Sequence, residues 1–265
     1  MRSVIALDLD QTLIYSTRSA GDLTGVGTVW VEDYDGAPLS LMTTRAHALL
    51  ADLQARHHVL PVTTRTPAQY ARVRLPVPAP WAVTCNGGIL LRDGVRDPAW
   101  DARVRRDLSV AAPASEAWQL FAPLLGQDWL RTAKQVEDLF VYLVAETREQ
   151  IPAEWISAVA AWGQEHGWGV SVQGRKAYLV PHALSKGAAA LRVADELGGE
   201  LLAAGDSLLD RDLLEAAAFA VRPAHGELAL VGYDGARVTG RSGALAAEDL
   251  LGLLGEHADR DRQLD

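Results

Sequence analysis

The chain has 265 residues, a formal net charge of −9, 49% hydrophobic and 22% charged residues, the make-up of an ordinary globular protein. That length admits one large domain or a domain carrying a sizeable insertion. The acidic balance argues against nucleic acid or an anionic membrane as the main partner, so any bound anion must be met by local positive charge.

Residues 4–7 form a continuous apolar run, the mark of a strand buried on both faces. Asp8 and Asp10 follow at its end, flanking Leu9, with Thr12 close behind. Strand side chains alternate, so the two acids share one side a few ångströms apart. Like charges that close call for a cation, a shared proton, or both. Two alternating stretches around Asp35-Gly36 then read as a hairpin over 28–42. Thr43 or Thr44 caps a helix to about Arg56, with Leu49, Leu50 and Leu53 on one face. The paired His57 and His58 read as that helix's end, favourable to its dipole. "HVLPVTTRT" is a second apolar strand ending in hydroxyls, with Pro61 a mild objection to a central position. A further strand breaks at Asn86-Gly87-Gly88. Its Cys85 reads as a buried thiol, and a single cysteine excludes a disulfide framework and suits a reducing compartment.

From about Ile89 the texture changes, and six of the eight tryptophans fall between there and Pro181. This segment reads as a helix (99–125), strands (128–134 and 138–145), a helix (152–166) and strands (168–173 and 176–180). Hairpin strands separated by helices predict an antiparallel sheet with helices on one face. The tryptophans there are expected to build its core. After His182 the α/β pattern resumes: a helix capped by Ser185, a short strand "ELLAAGD", a helix from about Leu208, a strand, a hairpin-like stretch and a helix near 244–254. The charged tail 256–265 is expected to fray. The expected layout is a Rossmann-like parallel α/β core, 1–88 and 181–265, interrupted by a smaller α+β domain at 89–180. No segment is apolar for long enough to be a signal peptide or a membrane span, so a cytoplasmic location is expected.

Ligands of such open sheets sit beyond the carboxyl ends of the strands. Those ends bring Asp8, Asp10 and Thr12; "TTR", Thr63 to Arg65; Lys186 in the first turn of a helix; and Asp206 and Asp210 in "GDSLLD". Together they supply a carboxylate nucleophile, an acid/base, a hydroxyl donor, a cation and metal-binding carboxylates, a kit for phosphoryl transfer.

In order and spacing, "DLDQT", the Thr of "VTTR", the Lys of "SKG" and "GDSLLD" resemble the haloacid dehalogenase (HAD) superfamily. The insertion between the second and third motifs looks like the type 2 (C2B-like) cap of the Cof-like, sucrose-phosphatase and phosphomannomutase branch. "CNGG" also resembles the "NG" junction of Cof-like members. The resemblance implies that Asp8 attacks phosphorus and that Asp10 protonates the leaving alkoxide and then activates water. It implies that Thr63 and Lys186 hold the phosphoryl oxygens. It also implies that Asp8, the Asp10 carbonyl and Asp206 hold Mg2+, with Asp210 in the outer shell orienting Lys186. Thr12, Arg65, Asn86 and, in the cap, Arg131, Lys134 and Arg175 are candidate substrate contacts. Three positions depart from the usual pattern: Gln11 and Thr64 where Gly is frequent, and Leu209 where Asn is usual.

The expected activity is Mg2+-dependent hydrolysis of a small phosphorylated metabolite, a sugar phosphate or nucleotide-like compound, through an aspartyl-phosphate. A phosphomutase is the nearest alternative. A phospho-acceptor signalling module is opposed by Asp10 and by the insertion, and a non-catalytic binding protein by the intact Asp8 and Asp10.

Overall fold

The apolar run near the N-terminus forms β1 (Val4–Leu7), buried along its whole length, in a computed structural model that describes residues 2–261. The alternating stretches form a hairpin, β2 (Thr28–Tyr34) and β3 (Ala37–Thr43). Asp35 and Gly36 turn it with φ of 51° and 76°, the left-handed pair that a two-residue hairpin turn requires. Thr43 then caps α1 (Thr44–Arg56): its hydroxyl accepts from the Ala46 N–H at 3.0 Å and donates to Glu248 at 2.7 Å. Glu248 is itself buried. Thr43→Val should remove a cap and one donor to a buried carboxylate together. The expected loss is about 2 kcal/mol, read as a lower Tm.

β4 (His58–Pro61) lies parallel to β1 with Pro61 opposite Leu7. The Val62 N–H donates to Leu7 at 2.8 Å, so Pro61 turns away from β1. Bonding on that other side begins only at the Thr63 N–H, which reaches Val83 at 2.9 Å. The missing proline donor therefore breaks no ladder bond. A short α2 (Pro67–Tyr70) follows, closed by a Thr66–Gln69 capping box. Then comes an antiparallel meander of β5 (Trp81–Thr84), β6 (Ile89–Arg92) and β7 (Val95–Arg96).

The next stretch, Pro98–Leu184, is a separate compact unit. It contains α3 (Pro98–Leu108), α4 (Ala114–Gln119), β8 (Leu130–Val136), β9 (Phe140–Ala145), α5 (Ala153–His166), β10 (Trp168–Gln173) and β11 (Lys176–Pro181). Its four strands pair antiparallel in the order β10-β11-β9-β8. The helix expected over 99–125 is two, because Pro113 takes an extended conformation (φ −67°, ψ 150°) at the cap of α4. Trp118, Trp155 and Trp168 pack within this unit. Phe121 stacks on Trp118 and meets Trp155 edge-on. The indole N–H groups of Trp155 and Trp168 donate to the Leu120 and Ala112 carbonyls at 2.8 and 2.9 Å.

The chain re-enters the first unit at Ser185 with α6 (Lys186–Leu197), stopped by the left-handed Gly198, and β12 (Leu201–Ala204). There follow α7 (Arg211–Ala216), β13 (Phe219–Arg222), α8 (Glu227–Leu230), β14 (Arg237–Val238) and α9 (Ala244–Asp261). The hairpin-like reading after β13 is corrected: α8 carries the chain back, and β14 pairs with β13 in parallel. α9 is helical through Asp261, into the tail expected to fray; residues 262–265 lie outside the described residues.

The main sheet is wholly parallel, in the order β14-β13-β12-β1-β4. Ile5 and Leu7 share a core with Leu50 and Leu53 of α1 and with Leu250, Leu251 and Leu254 of α9. α6 and α7 pack on one another and against β12. The architecture is a Rossmann-like parallel α/β core with an inserted antiparallel α+β unit.

Candidate active site

Asp8 is the first residue past β1, and its N–H still donates to Ala204 of β12 at 3.0 Å. The chain then wraps around the Leu9 carbonyl, which accepts from the Thr12, Leu13 and Ile14 N–H groups at 3.3, 2.9 and 2.9 Å. This turn needs a left-handed residue, and Gln11 supplies it at φ 63°. Glycine would adopt that conformation without steric cost, which gives the departure at Gln11 a physical meaning. His225 secures the strained residue, its Nε2 lying 2.9 Å from the Gln11 carbonyl, while its Nδ1 accepts from the Gly243 N–H at 3.1 Å.

Lys186 enters from the start of α6, 1% exposed. Ser185 caps that helix by accepting from the Ala188 N–H at 2.9 Å, and its hydroxyl donates to Asp212. Gly187 allows α6 to approach closely: a Cβ there would stand 2.3 Å from the Asp212 carbonyl oxygen. The Lys186 ammonium donates to Asp8 at 2.7 Å and to Asp210 at 2.5 Å. Asp210 uses its other oxygen to accept from the Asp206 and Ser207 N–H groups (3.2 and 3.0 Å) and the Ser207 hydroxyl (2.7 Å). Asp210 is thereby committed to holding the lysine and the loop.

Asp8, Asp206 and Asp210 each offer one oxygen, and these oxygens lie within 4.8 Å of one another. One lysine does not balance three buried acids. Burial, then the neighbouring Asp210, push the Asp8 carboxyl from 3.8 up to about 7, against the pull of Lys186. Burial and the same neighbours push Asp206 well up. Gly226 (φ 90°) keeps space open beside Asp206, because a Cβ would lie 2.7 Å from its Oδ2. Nearby in the chain, the Thr12 Oγ1 is buried without a hydrogen-bond partner. An all-oxygen donor set with excess negative charge fits a hard divalent cation.

Asp10 takes a different cation. Arg65 donates to its two oxygens, Nε to Oδ2 at 2.8 Å and Nη2 to Oδ1 at 2.9 Å. The same guanidinium donates to Glu32 of β2 at 2.8 and 3.0 Å. The repulsion expected between Asp8 and Asp10 is thus met by two cations, one for each acid. Thr63 is buried, and its hydroxyl accepts from the Arg65 N–H at 3.2 Å, keeping its own proton to donate. Its carbonyl accepts from the N–H of Asn86, a buried residue at φ 57°. Arg131, Lys134 and Arg175 belong to the inserted unit. Arg131 and Lys134 are exposed on β8, with Arg131 paired to Glu146 at 2.6 Å, and Arg175 lies in the turn between β10 and β11.

Glu32 was not legible as part of this cluster. The signal in the sequence was an acid inside an apolar alternation, but two charged neighbours, Asp33 and Asp35, make it look like solvent-facing hairpin.

The chain matches no protein-family model and no curated protein by sequence. Its fold is similar to the sucrose-phosphatase of Synechocystis sp. PCC6803, with a TM-score of 0.65 at 17% identity over 98% of this chain and 99% of that one. A sugar phosphatase of HAD subclass IIB gives 0.63 at 11% identity over 96% and 98%. A haloacid dehalogenase-like hydrolase from B. subtilis gives 0.55 at 16% identity over 89% and 94%. At these identities the likeness is one of fold.

Proposed function

We propose that this chain is a HAD-type phosphatase that hydrolyses a small phosphomonoester through an aspartyl-phosphate on Asp8. The observation that carries this reading is the division of labour at the strand ends. A buried Asp8 is held by Lys186 beside an all-oxygen acid cluster, while Asp10 is held apart by a cation of its own.

In this reading an Asp8 oxygen attacks phosphorus as the bond to the leaving alkoxide breaks, and Asp10 gives that alkoxide a proton. Water then attacks the acyl phosphate, Asp10 takes its proton, and inorganic phosphate leaves with Asp8 restored. The Lys186 ammonium and the Thr63 hydroxyl offset charge on the phosphoryl oxygens. Asp8, the Asp10 carbonyl and Asp206 would hold Mg2+, with Asp210 outside them. The ion would neutralise the phosphate and let Asp8 remain ionised at neutral pH. The inserted unit would act as a cap excluding water from the acyl phosphate. A cap of this kind favours a small metabolite over a macromolecular phosphate. A sugar phosphate is the leading class, supported by the sucrose-phosphatase of the same fold, whose structure was determined with sucrose and phosphate.

Phosphate release from sugar phosphates, nucleotides and p-nitrophenyl phosphate, with Mg2+ and with chelator, tests the reading. Metal-dependent release is expected. A folded protein that releases nothing from any of these compounds would overturn it.

A further inference from the structure

Glu32 is fully buried, and so is its neighbour Val31 at 1% exposure. Strand alternation forbids two consecutive inward residues, and the hairpin breaks register to allow it. Trp30 stands opposite Leu41, Glu32 opposite Ser40 and Asp33 opposite Pro38, with register shifts on both sides of Glu32. Such bulges re-aim a side chain at a local cost in pairing. Here Val31 joins the core, and Glu32 also turns inward to reach Arg65.

A buried carboxylate is costly unless fully paired. Glu32 accepts from the Ser40 hydroxyl at 2.7 Å, from Arg72 at 3.2 Å, and from Arg65 at both oxygens. Burial alone would raise its pKa, but the Arg65 and Ser40 hydrogen bonds outweigh that and hold it below the ordinary value. Arg65 is likewise almost consumed: two of its N–H groups go to Asp10 and two to Glu32. The planar fork is gripped from both sides, so its position relative to Asp10 is set by Glu32.

A simple staple between the hairpin and the stretch from Arg65 to Arg74 around α2 does not require this arrangement. Arg74 already joins the two through Asp33 at 2.8 Å and through its N–H to the Val31 carbonyl at 2.7 Å. Arg72 also lies over the Tyr34 ring at 5.0 Å.

We infer that Glu32 is a positioning residue: it locks Arg65, and through Arg65 it aims the Asp10 carboxyl at the leaving-group oxygen. The hairpin then supports the acid/base through this one residue, Glu32. Arg65 serves the acid/base rather than the substrate. This inference rests on the phosphatase reading, in which Asp10 protonates the leaving group.

The test is leaving-group dependence. An alkyl phosphate needs the proton from Asp10 to depart, whereas 2,4-dinitrophenyl phosphate scarcely does. We would measure kcat/KM for both substrates in wild type, Asp10→Asn, Glu32→Gln, Glu32→Asp and Asp33→Asn. Asp10→Asn defines the signature of lost general-acid catalysis, a much larger loss on the alkyl ester. Glu32→Gln should share it, losing roughly tenfold more on the alkyl than on the aryl ester, and the charge-preserving Glu32→Asp should recover part of the difference. Asp33→Asn, which loosens only the outer staple, should leave the ratio of the two substrates unchanged.

Equal losses on both substrates in Glu32→Gln would overturn the inference and leave Glu32 structural. Should that variant fail to fold, Glu32→Asp decides alone: an unchanged substrate ratio would overturn it. If wild type hydrolyses neither ester, the phosphatase reading fails first. If wild type and Asp10→Asn show the signature and the Glu32 variants do not, only this inference falls.

Discussion

Asp8→Asn is expected to abolish phosphate release, by roughly 10⁴-fold or more, while making the metal-free protein more stable at pH 8. The amide is no nucleophile, but it can still accept from Lys186 as the Asp8 Oδ1 does. It also removes a charge that the fold does not welcome. The Asp8 carboxyl is raised from 3.8 to about 7 by burial and by Asp210. A group whose folded pKa lies above its unfolded value binds the proton more tightly when folded. The contribution of this group to stability is therefore full below about pH 4 and is lost as pH rises through about 7. Metal-free wild type should lose on the order of a few kcal/mol across that window, and Asp8→Asn should lose less. Denaturant melts at pH 5 and pH 8 check this. A variant that melts below wild type at pH 8 would contradict the account of Asp8 as a strained, reactive carboxylate.

Lys186→Met should have the opposite effect on stability. The ammonium is buried and bonded to two acids, with Asp206 beside them. Breaking a buried pair by removing one partner leaves uncompensated charge, at about 3–5 kcal/mol. Asp210 would also lose the donor on its Oδ1, although its Oδ2 contacts with the 206–207 loop would remain. The loss should be larger at pH 8 than at pH 5, where the Asp8 carboxyl, raised to about 7, can take up a proton instead. Added Mg2+ should restore part of the stability at pH 8 by supplying the missing positive charge. Unchanged melting at pH 8 would mean that Lys186 does not balance these acids. Phosphate release should fall with the loss of the phosphoryl-binding cation, and Mg2+ should not restore it to the wild-type level.

Much of this was legible because the core strands carry their own signature. Residues 4–7 read as doubly buried and are, and Asp8 stands at the end of that run. Ser185 announces the helix that carries Lys186, and Asp35-Gly36 announces the hairpin. The interactions between distant segments were less legible. Periodicity places a side chain on a face, but Glu32 leaves its face through a double register shift that no pattern of period two encodes. The break between α3 and α4 was written in Pro113 and was outweighed by the helical spacing on either side. The parallel pairing of β14 depends on α8, a helix of four residues, too short to produce a periodic signal.

The distribution of tryptophans has an optical consequence. Six of the eight, Trp100, Trp118, Trp129, Trp155, Trp162 and Trp168, lie in the inserted unit, leaving Trp30 and Trp81 in the other. Intrinsic fluorescence will therefore report mainly on the inserted unit. A substitution near Asp8 could destabilise the α/β core while the emission spectrum hardly moves. Circular dichroism, weighted by the helices of both units, would register it. Disagreement between the two signals during a melt would then separate the unfolding of one unit from that of the other, within a single unlabelled chain.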